Sequence, residues 1–528
     1  MLRSVGYALI LAVGIPAVGL PQGATEKPAA SADPFQTDGP PKPAGSIDDI
    51  VFARLHQLGI EPAHLCSDAV FIRRVYLDVI GTLPAPGETR QFLADRGKEK
   101  RRVLIDRLLA RAEFADYWAM KWSDLLRVKA EFPINLWPNA AQAYHHWIRE
   151  SLRENLPYDR FARELLTSNG SNFRVAPVNF FRAVQGRSPN AIASAVALTF
   201  MGERADRWPA DRLAAMAAFF SKIGYKSTLE WKEEIVFFDA FRTGATVPAV
   251  FPDGTPAKLA AGQDPREAFA DWLIQPGNPW FSRAIVNRVW YWLLGRGIIH
   301  EPDDIRPDNF PSNPELLALL QKELVSAHYD LRHLFRLILN SSTYQLASIP
   351  RSDRPEAAAN FAFYPLRRLD AEVLIDALNQ ITGTTEAYSS AIPEPYTFMP
   401  SDQRAIALPD GSITSTFLEQ FGRPSRDTGM ESERNNRSTA LQRLQLLNSS
   451  QIQRKLAQGP KLQELFRPKN SPEEIVDGLY LAILSRRPTA QEREASLSIL
   501  SRGKAGRRDS SVDLAWALVN TAEFLYRH

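Results

Sequence analysis

The chain contains a single cysteine, Cys66, among 528 residues. One cysteine cannot form an intrachain disulfide, so packing must stabilise the fold. No Cys-His-Asn pattern surrounds Cys66. We therefore expect Cys66 to be a buried or half-buried packing residue rather than a nucleophile.

An excess of charge of one sign is also missing, because 63 basic residues face 60 acidic ones and the net charge is +3. Such a balance gives no broad positive field to hold nucleic acid, and we predict no nucleic-acid partner. The sequence also lacks a Gly-x-Ser-x-Gly elbow, a Walker loop, a dinucleotide fingerprint and a His-Glu-x-x-His motif. The reactions that depend on these motifs are not indicated.

Histidine is scarce, with eight residues, and its spacing is unfavourable for a metal. His145 and His146 are adjacent, and neighbouring residues point about 100° apart on a helix. His328 and His333 are five apart, whereas a zinc-binding helix places its histidines at i and i+4. We therefore predict no metal site from these residues.

Long apolar runs are absent except near the start. Arg3 precedes an apolar run of about 16 residues, and Gly23-Ala24 offers a small-residue cleavage point, which is typical of a signal peptide over residues 1–24. An uncleaved anchor is the alternative, although the run is short for a bilayer span. Residues 25–44 are rich in Pro, Ala and small polar residues and predict a disordered linker. We expect an exported protein, periplasmic or extracellular, with no membrane span after cleavage.

The remaining chain is patterned for helices. Apolar residues recur at helical spacing over 45–226 and again over 264–528, which predicts an N-terminal helical domain and a C-terminal helical partner domain. Residues 227–263 contain a short alternating apolar run and turn signals, which indicate a small β-hairpin or extended connector. The predicted fold class is mainly α.

Three long motifs of the N-terminal region are distinctive: RRVYLDVIGTLPAPGETRQFL at 73–93, WAMKWSDLLR at 118–127 and LPYDRFARELL at 156–166. Together they resemble one family, the Planctomycete cytochrome c-associated domain of unknown function. Three further runs resemble the usual C-terminal partner of that domain: DPREAFADWL at 264–273, NPWFSRAIVNRVWYWLLGRGII at 278–299 and DLRHLFRLILNSSTYQ at 330–345. The resemblance implies export, association with c-type cytochromes and a link to polysaccharide breakdown. It implies no particular reaction.

The sequence departs from the family pattern where relatives carry metal-binding side chains. The family's Cys-x-x-Cys-His segment, a haem attachment site, corresponds to 202–219, which is shortened and contains neither residue type. The family's Cys-x-Cys-Glu-Arg corresponds to 430–434, which keeps only Glu433 and Arg434. A family histidine is replaced by Asn313. The resemblance therefore implies that a haem or metal centre has been lost, and we expect no cofactor.

Six polar residues are candidates for a site. Asp303 and Asp304 lie in a Pro- and Asn-rich loop and could serve acid–base chemistry, hold Ca²⁺ or cap a helix. Arg288 could pair with either of them or clamp a sugar or carboxylate. The others are Arg368, next to Asp370 as a possible N-cap, and the retained pair Glu433 and Arg434. The 11 tryptophans and 14 tyrosines fit either a core or a carbohydrate-stacking surface.

Three hypotheses for function remain. The first is an exported, non-catalytic binding or scaffold protein, accessory to extracytoplasmic polysaccharide processing, whose partners are polysaccharide or exported carbohydrate-processing proteins. The alternative is a cofactor-free hydrolase or lyase that uses Asp303, Asp304 and an arginine. A second alternative is a redox protein that relies on a separate c-type cytochrome. Convergence of the candidates in an open cleft would favour the enzyme, and burial in mutual ion pairs would count against it.

Overall fold

The computed structural model describes residues 33–245, 247–502 and 506–528, and the predicted signal peptide lies outside them. Within the described residues α-helices dominate and strands are few and short, which confirms the mainly α prediction. Residues Pro34–His528 form one compact unit. The domain boundaries at 226 and 264 stay predictions.

The first half of the described chain forms ten α-helices, which bury the apolar faces that their spacing predicts. A π-helical turn, Ala197–Met201, follows the ninth. The ten helices are α1 Ser46–Gln57, α2 Asp68–Val79, α3 Pro86–Ala94, α4 Lys100–Leu109, α5 Ala112–Leu125, α6 Pro138–Arg153, α7 Tyr158–Thr167, α8 Asn179–Arg182, α9 Pro189–Val196 and α10 Ala210–Ala217.

A three-stranded antiparallel sheet pairs the hairpin between the two helical regions with a short strand that follows α7. Strand β1, Gly170–Ser171, pairs with β3, Glu234–Phe238, which pairs in turn with β2, Ile223–Ser227. The strand predicted within the connector is confirmed as β3, and it belongs to a hairpin. Its partner β2 was not predicted, because β2 precedes β3 and lies, apart from Ser227, before the predicted connector 227–263. The described residues between 239 and 263 form no further strand, apart from an isolated β-bridge between Val250 and Pro256.

The second half forms thirteen α-helices within the described residues, together with two short paired strands, β4 Arg367–Arg368 and β5 Tyr526–Arg527. The helices are α11 Pro265–Leu273, α12 Phe281–Leu294, α13 Pro314–Ser326, α14 Leu331–Asn340, α15 Ala371–Thr382, α16 Thr416–Gln420, α17 Ala440–Asn448, α18 Ser450–Gln458, α19 Pro460–Leu465, α20 Pro472–Ile483, α21 Ala490–Arg502, α22 Arg507–Val519 and α23 Ala522–Leu525.

Aromatic side chains from both halves share one core. Trp118 of α5 lies 5.2 Å from Trp292 of α12 and 4.5 Å from Phe335 of α14, measured between ring centroids. Trp122 packs against Trp292 at 5.9 Å. These rings are buried, so this group of tryptophans belongs to the core rather than to a surface.

The segment 34–44, in the second half of the predicted linker, runs along the body of the protein. The backbone N–H of Thr37 donates to the carbonyl oxygen of Leu65 at 2.8 Å, and Gln36 forms a β-bridge with Cys66. The Ser67 hydroxyl donates to the carbonyl oxygen of Pro34 at 2.6 Å. Cys66 is fully buried beneath this segment's bridge, as a packing residue should be.

Candidate functional site

A cavity of about 720 Å³ lies between the C-terminal end of α12, the strand pair β4–β5 and the segment 431–438, and we call it the cleft. The pairing of Arg367 with Arg527 and of Arg368 with Tyr526 brings the end of the chain to its wall. Six lining residues are basic and three are acidic: Lys121, Arg367, Arg368, Arg434, Arg437 and Arg527, against Glu301, Asp370 and Glu431.

Glu431 is the acid in the cleft whose ionisation is suppressed. Its carboxylate oxygen Oε1 accepts a hydrogen bond from the indole N–H of Trp292 at 2.6 Å, and the same oxygen lies 3.9 Å from Nε of Arg288. Burial, reinforced by the negative charge of Asp303, raises the pKa of Glu431 to about 7. A carboxyl group with such a pKa can donate or accept a proton near neutral pH.

Arg288 and Asp303 form a buried ion pair behind Glu431. Nη2 of Arg288 donates to Oδ1 of Asp303 at 2.7 Å, and both side chains are almost completely hidden from solvent. The same guanidinium donates to the carbonyl oxygen of Thr199 at 2.9 Å, while Oδ2 of Asp303 accepts from the backbone N–H of Glu431 at 2.6 Å. This pair positions the segment that carries Glu431.

Asp370 anchors the floor of the cleft. The sequence predicted a helix cap, and Asp370 does occupy the N-cap position of α15, but its side chain accepts no capping hydrogen bond. Its Oδ2 accepts instead from Nη2 of Arg527 at 2.9 Å and from Nζ of Lys121 at 3.1 Å. Burial opposes the ionisation of Asp370, but the charges of Lys121, Arg527 and Arg434 outweigh burial and hold its pKa well below the usual range.

Lys121 is itself buried, and its pKa is lowered, first by burial and then by the charge of Arg434. Arg434 is held from the other side by Oδ2 of Asp124 and Oε2 of Glu372, each at 2.7 Å. The cations at the floor are therefore fixed in place by buried acids.

Arg368 lies in the wall of the cleft and is held by backbone. Its Nη2 donates to the carbonyl oxygen of Phe421 at 2.6 Å, and its Nε donates to that of Asn436 at 3.1 Å. Nη1 of Arg368 is buried without a hydrogen-bond partner in the described part of the chain. Arg437, at the rim, is exposed. Arg437 therefore offers an exposed donor to a ligand, whereas Nη1 of Arg368 is closed off from solvent.

Tyr291 and His300 form the aromatic side of the cleft, with ring centroids 6.5 Å apart. Burial, followed by the charge of Arg296, lowers the pKa of His300. Burial, followed by the charge of Glu431, raises the pKa of Tyr291. Both groups are therefore uncharged near neutral pH and present ring faces and hydrogen-bonding atoms.

Asp304 and Glu433 lie outside the cleft, and each side chain is engaged in contacts that hold loops in place. Oδ1 of Asp304 pairs with Arg207 at 2.6 Å and with Arg306 at 3.1 Å, which ties the 300–306 loop to the 202–209 loop. Glu433 accepts from the backbone N–H groups of Asp427 and Thr428 at 2.9 and 3.1 Å, and from the hydroxyl groups of Ser425 and Thr428. Burial alone would raise the pKa of Glu433, but these hydrogen bonds outweigh it and lower the pKa. Glu433 therefore stabilises a turn.

Of the six candidates predicted from sequence, Arg368 and Arg434 line the cleft. Arg288 and Asp303 are paired and buried behind it, whereas Asp304 and Glu433 are engaged in the loops. The other charged residues of the lining were not among the candidates; they are Lys121, Glu301, Arg367, Asp370, Glu431, Arg437 and Arg527. A lone lysine within the apolar run WAMKW was a usable signal for Lys121, because buried lysines need partners.

A second cavity, of about 300 Å³, touches both segments, 202–219 and 430–434, where the resemblance predicted lost metal-binding side chains. The first segment contributes residues 204–206 to the lining and the second contributes Met430, beside Asp427 and Thr428. Covalent attachment of a c-type haem requires two thiols and an axial histidine. The lining residues include neither Cys nor His, and the whole sequence has one cysteine. These residues do not fit a covalently attached haem.

The described residues contain no group of three or more His, Cys, Asp or Glu side chains that could hold a metal ion. His145 is buried in α6, and burial lowers its pKa to about 3. None of the helices in the described ranges combines the length and apolar character that a bilayer crossing requires.

Two family models match the chain. Residues 46–220 match "PSCyt2: Protein of unknown function (DUF1549)", and residues 265–500 match "PSD1: Protein of unknown function (DUF1553)". Comparison with curated proteins and with solved structures gives no match. The chain therefore carries both of the paired domains of unknown function, one N-terminal and one C-terminal, of the Planctomycete cytochrome c-associated family.

Proposed function

We propose that the cleft binds an acidic saccharide unit, and that the chain is an exported, non-catalytic binding protein accessory to extracytoplasmic polysaccharide processing. The observation that carries this proposal is the lining of the cleft, in which basic side chains outnumber acidic ones by six to three. One of the three acids, Glu431, has a pKa of about 7, so part of its population is neutral at physiological pH.

The donors in the cleft suit a carboxylate or sulfate group. Guanidinium groups bind such anions through paired, charge-assisted hydrogen bonds. The guanidinium of Arg437 is exposed at the rim, where it can form such bonds with a ligand. The rings of Tyr291 and His300 supply an apolar side for the sugar ring.

Export is part of the proposal and is supported by the N-terminal pattern of Arg3, the apolar run and Gly23-Ala24. Loss of a redox centre is also part of it. The single cysteine in the sequence supports that loss, and so does the common cavity between 204–206 and 427–430, which has no thiol or imidazole. The link to polysaccharide comes from the family resemblance.

Isothermal titration with acidic oligosaccharides, such as oligogalacturonate and sulfated oligosaccharides, tests the proposal against neutral oligosaccharides of equal length. Arg437→Ala should weaken binding of the acidic ligands by about tenfold, because a charge-assisted hydrogen bond is lost. Arg487→Ala is the matched control, since Arg487 is also exposed and lies outside the cleft lining. Equal binding by the wild type and Arg437→Ala would overturn the proposal.

Glu431 favours a second candidate, a hydrolase or lyase that acts on the same saccharide. Its raised pKa and its place in the cleft suit a general acid that protonates the leaving glycosidic oxygen. Assays of reducing ends and of the ultraviolet absorbance of unsaturated uronates would detect the two reactions. If the wild type shows turnover and Glu431→Gln abolishes it, the protein is an enzyme and the non-catalytic proposal is overturned.

A further inference from the structure

Three aromatic side chains from separate segments meet at the surface, outside the residues that line the cleft. Trp137 precedes α6, Trp231 lies in the turn of the β2–β3 hairpin, and Tyr396 lies in the long loop after α15. The Trp137 ring centroid is 5.2 Å from that of Tyr396 and 6.5 Å from that of Trp231. We call these three residues and Lys232 the aromatic platform.

Three of the four platform residues are exposed, unlike the aromatic groups of the core, and Trp137 is half-buried. Trp231 keeps 67% and Tyr396 keeps 45% of its surface open to solvent. Single exposed aromatic residues are ordinary, but a contiguous group drawn from three segments marks a binding surface. The exposed parts of Trp231 and Tyr396 are therefore available to a ligand.

The backbone of the platform holds an unfavourable conformation. Trp137 has φ of 74° and ψ of 146°, a region that glycine alone adopts readily. Lys232 also has a positive φ, of 63°. The strained Trp137 is held on both sides, because its N–H donates to the carbonyl oxygen of Ala130 and its carbonyl accepts from Ala141. Residues with backbone strain of this kind are held by the contacts around them, and they cluster at binding and active sites.

A cation lies between the two indole rings. Nζ of Lys232 is 5.3 Å from the ring centroid of Trp137 and 5.3 Å from that of Trp231. These two rings stand nearly perpendicular, at 87°, and so form a corner with the ammonium group beside it. An occupant of the corner has to present an apolar face to a ring and a negative group to Lys232.

We infer that the aromatic platform is a second saccharide-binding site, which stacks a sugar ring of an acidic polysaccharide and pairs its carboxylate or sulfate group with Lys232. A pyranose ring offers a face of C–H bonds that packs on an aromatic ring, and its charged substituents project from the ring edge. The inference rests on the proposed function only for the class of ligand.

Titration with a long acidic polysaccharide, followed by tryptophan fluorescence and calorimetry, tests the inference in the full chain. Trp231→Ala and Lys232→Ala should each weaken binding by about fivefold to tenfold. Leu229→Ala is the matched control, because Leu229 is fully exposed in the same turn and does not belong to the platform. The control should leave the affinity unchanged.

The outcomes separate the two sites and the competing ligand classes. If Trp231→Ala and Lys232→Ala leave the affinity unchanged while Arg437→Ala lowers it, the platform is not a binding site and the cleft proposal stands. If Trp231→Ala and Lys232→Ala lower the affinity while Arg437→Ala does not, the platform is a binding site and the cleft proposal is overturned. A third outcome would be that the protein binds anionic phosphatidylglycerol vesicles but no polysaccharide, and that both Leu229→Ala and Trp231→Ala weaken the vesicle binding. That outcome would overturn the saccharide assignment in favour of a membrane surface.

Discussion

Glu431 shows how a single residue takes its chemistry from its neighbours. Its sequence surroundings, Met-Glu-Ser-Glu-Arg, contain a second glutamate two positions later with the opposite behaviour. Burial beside Asp303 raises the pKa of Glu431, whereas hydrogen bonds from two backbone amides and two hydroxyl groups lower that of Glu433. The difference arises from tertiary contacts, so the sequence could not assign the two roles.

Glu431→Gln should increase stability above neutral pH. The folded-state pKa of Glu431 is raised from 4.5 to about 7, so the unfolded chain ionises first as the pH rises, and stability is lost between about pH 4.5 and 7. The substitution removes this loss, which we expect to be on the order of 1–3 kcal/mol. Urea unfolding at a series of pH values measures it, and an equal loss of stability with pH in the variant would contradict the assignment.

The affinity of the cleft for an acidic saccharide should depend on the ionisation of Glu431. Below the pKa of about 7, Glu431 is neutral and the cleft is more positive, so affinity for an anion should be higher. Above that pH the ionised carboxylate repels the ligand, and affinity should fall by about fivefold to tenfold. Titration calorimetry across this range checks the effect, which Glu431→Gln should abolish. An affinity that does not change with pH would contradict the account.

Asp303→Asn should be strongly destabilising, because it leaves the fully buried Arg288 without its paired carboxylate. We expect a loss of about 3–5 kcal/mol. Asp304→Asn is the matched control, since its partners Arg207 and Arg306 are well exposed, and it should cost less than about 1 kcal/mol. Denaturant unfolding measures the free energy of unfolding of both variants. Equal losses of stability would show that the buried ion pair contributes no more than the exposed one.

At the scale of elements, the short loop at 202–209 is fixed by close packing. Gly202 ends the π-helical turn with φ of 66°, and its carbonyl oxygen accepts from the N–H of Ile305 at 2.9 Å. Ion pairs from Arg204 to Glu301 and from Arg207 to Asp304 join the same two loops. The 202–209 loop therefore closes onto the segment that carries Asp303.

Gly202→Ala should destabilise the protein by about 2–4 kcal/mol, because positive φ strain adds to overpacking. The added Cβ would lie 2.8 Å from Cδ1 of Ile305 and 3.0 Å from the carbonyl oxygen of Pro302. Gly262→Ala is the control: its φ is 79°, nothing lies near its Cβ, and strain alone should cost about 1 kcal/mol. Similar shifts in melting temperature for the two variants would contradict a role for loop packing.

Local signals predicted the elements better than the site. Helical periodicity predicted the mainly α fold, and an alternating apolar run predicted β3, because both depend on residues close in sequence. The N-cap position of Asp370 was also predictable, but its pairing with Lys121 and Arg527 was not. Those partners lie 249 and 157 residues away, and no local pattern encodes which distant cation a buried acid will meet.

At the scale of the whole molecule, buried arginines near the start of the chain hold carbonyl groups near its end. Arg73 of α2 donates to the carbonyl oxygens of Ile483 and Phe524 at 2.8 and 2.9 Å. Arg74 donates to the carbonyl oxygen of Tyr344 at 2.7 Å and to that of His528 at 2.8 Å. The helical regions on either side of the hairpin therefore satisfy each other's buried polar groups.

We expect that residues 34–263 and 264–528 do not fold cooperatively when produced separately. Separation would leave Arg73 and Arg74 without their acceptors, and each unpartnered buried charge costs several kcal/mol, against a typical total stability of about 5–15 kcal/mol. Near-ultraviolet circular dichroism and thermal unfolding of each fragment measure this, and co-production should yield a complex of both with a single transition. As a control, cleavage of the folded chain at an inserted protease site beside the exposed Gly262 should leave the two pieces associated. Cooperative unfolding of either fragment alone would instead support two independently stable domains that meet at the connector.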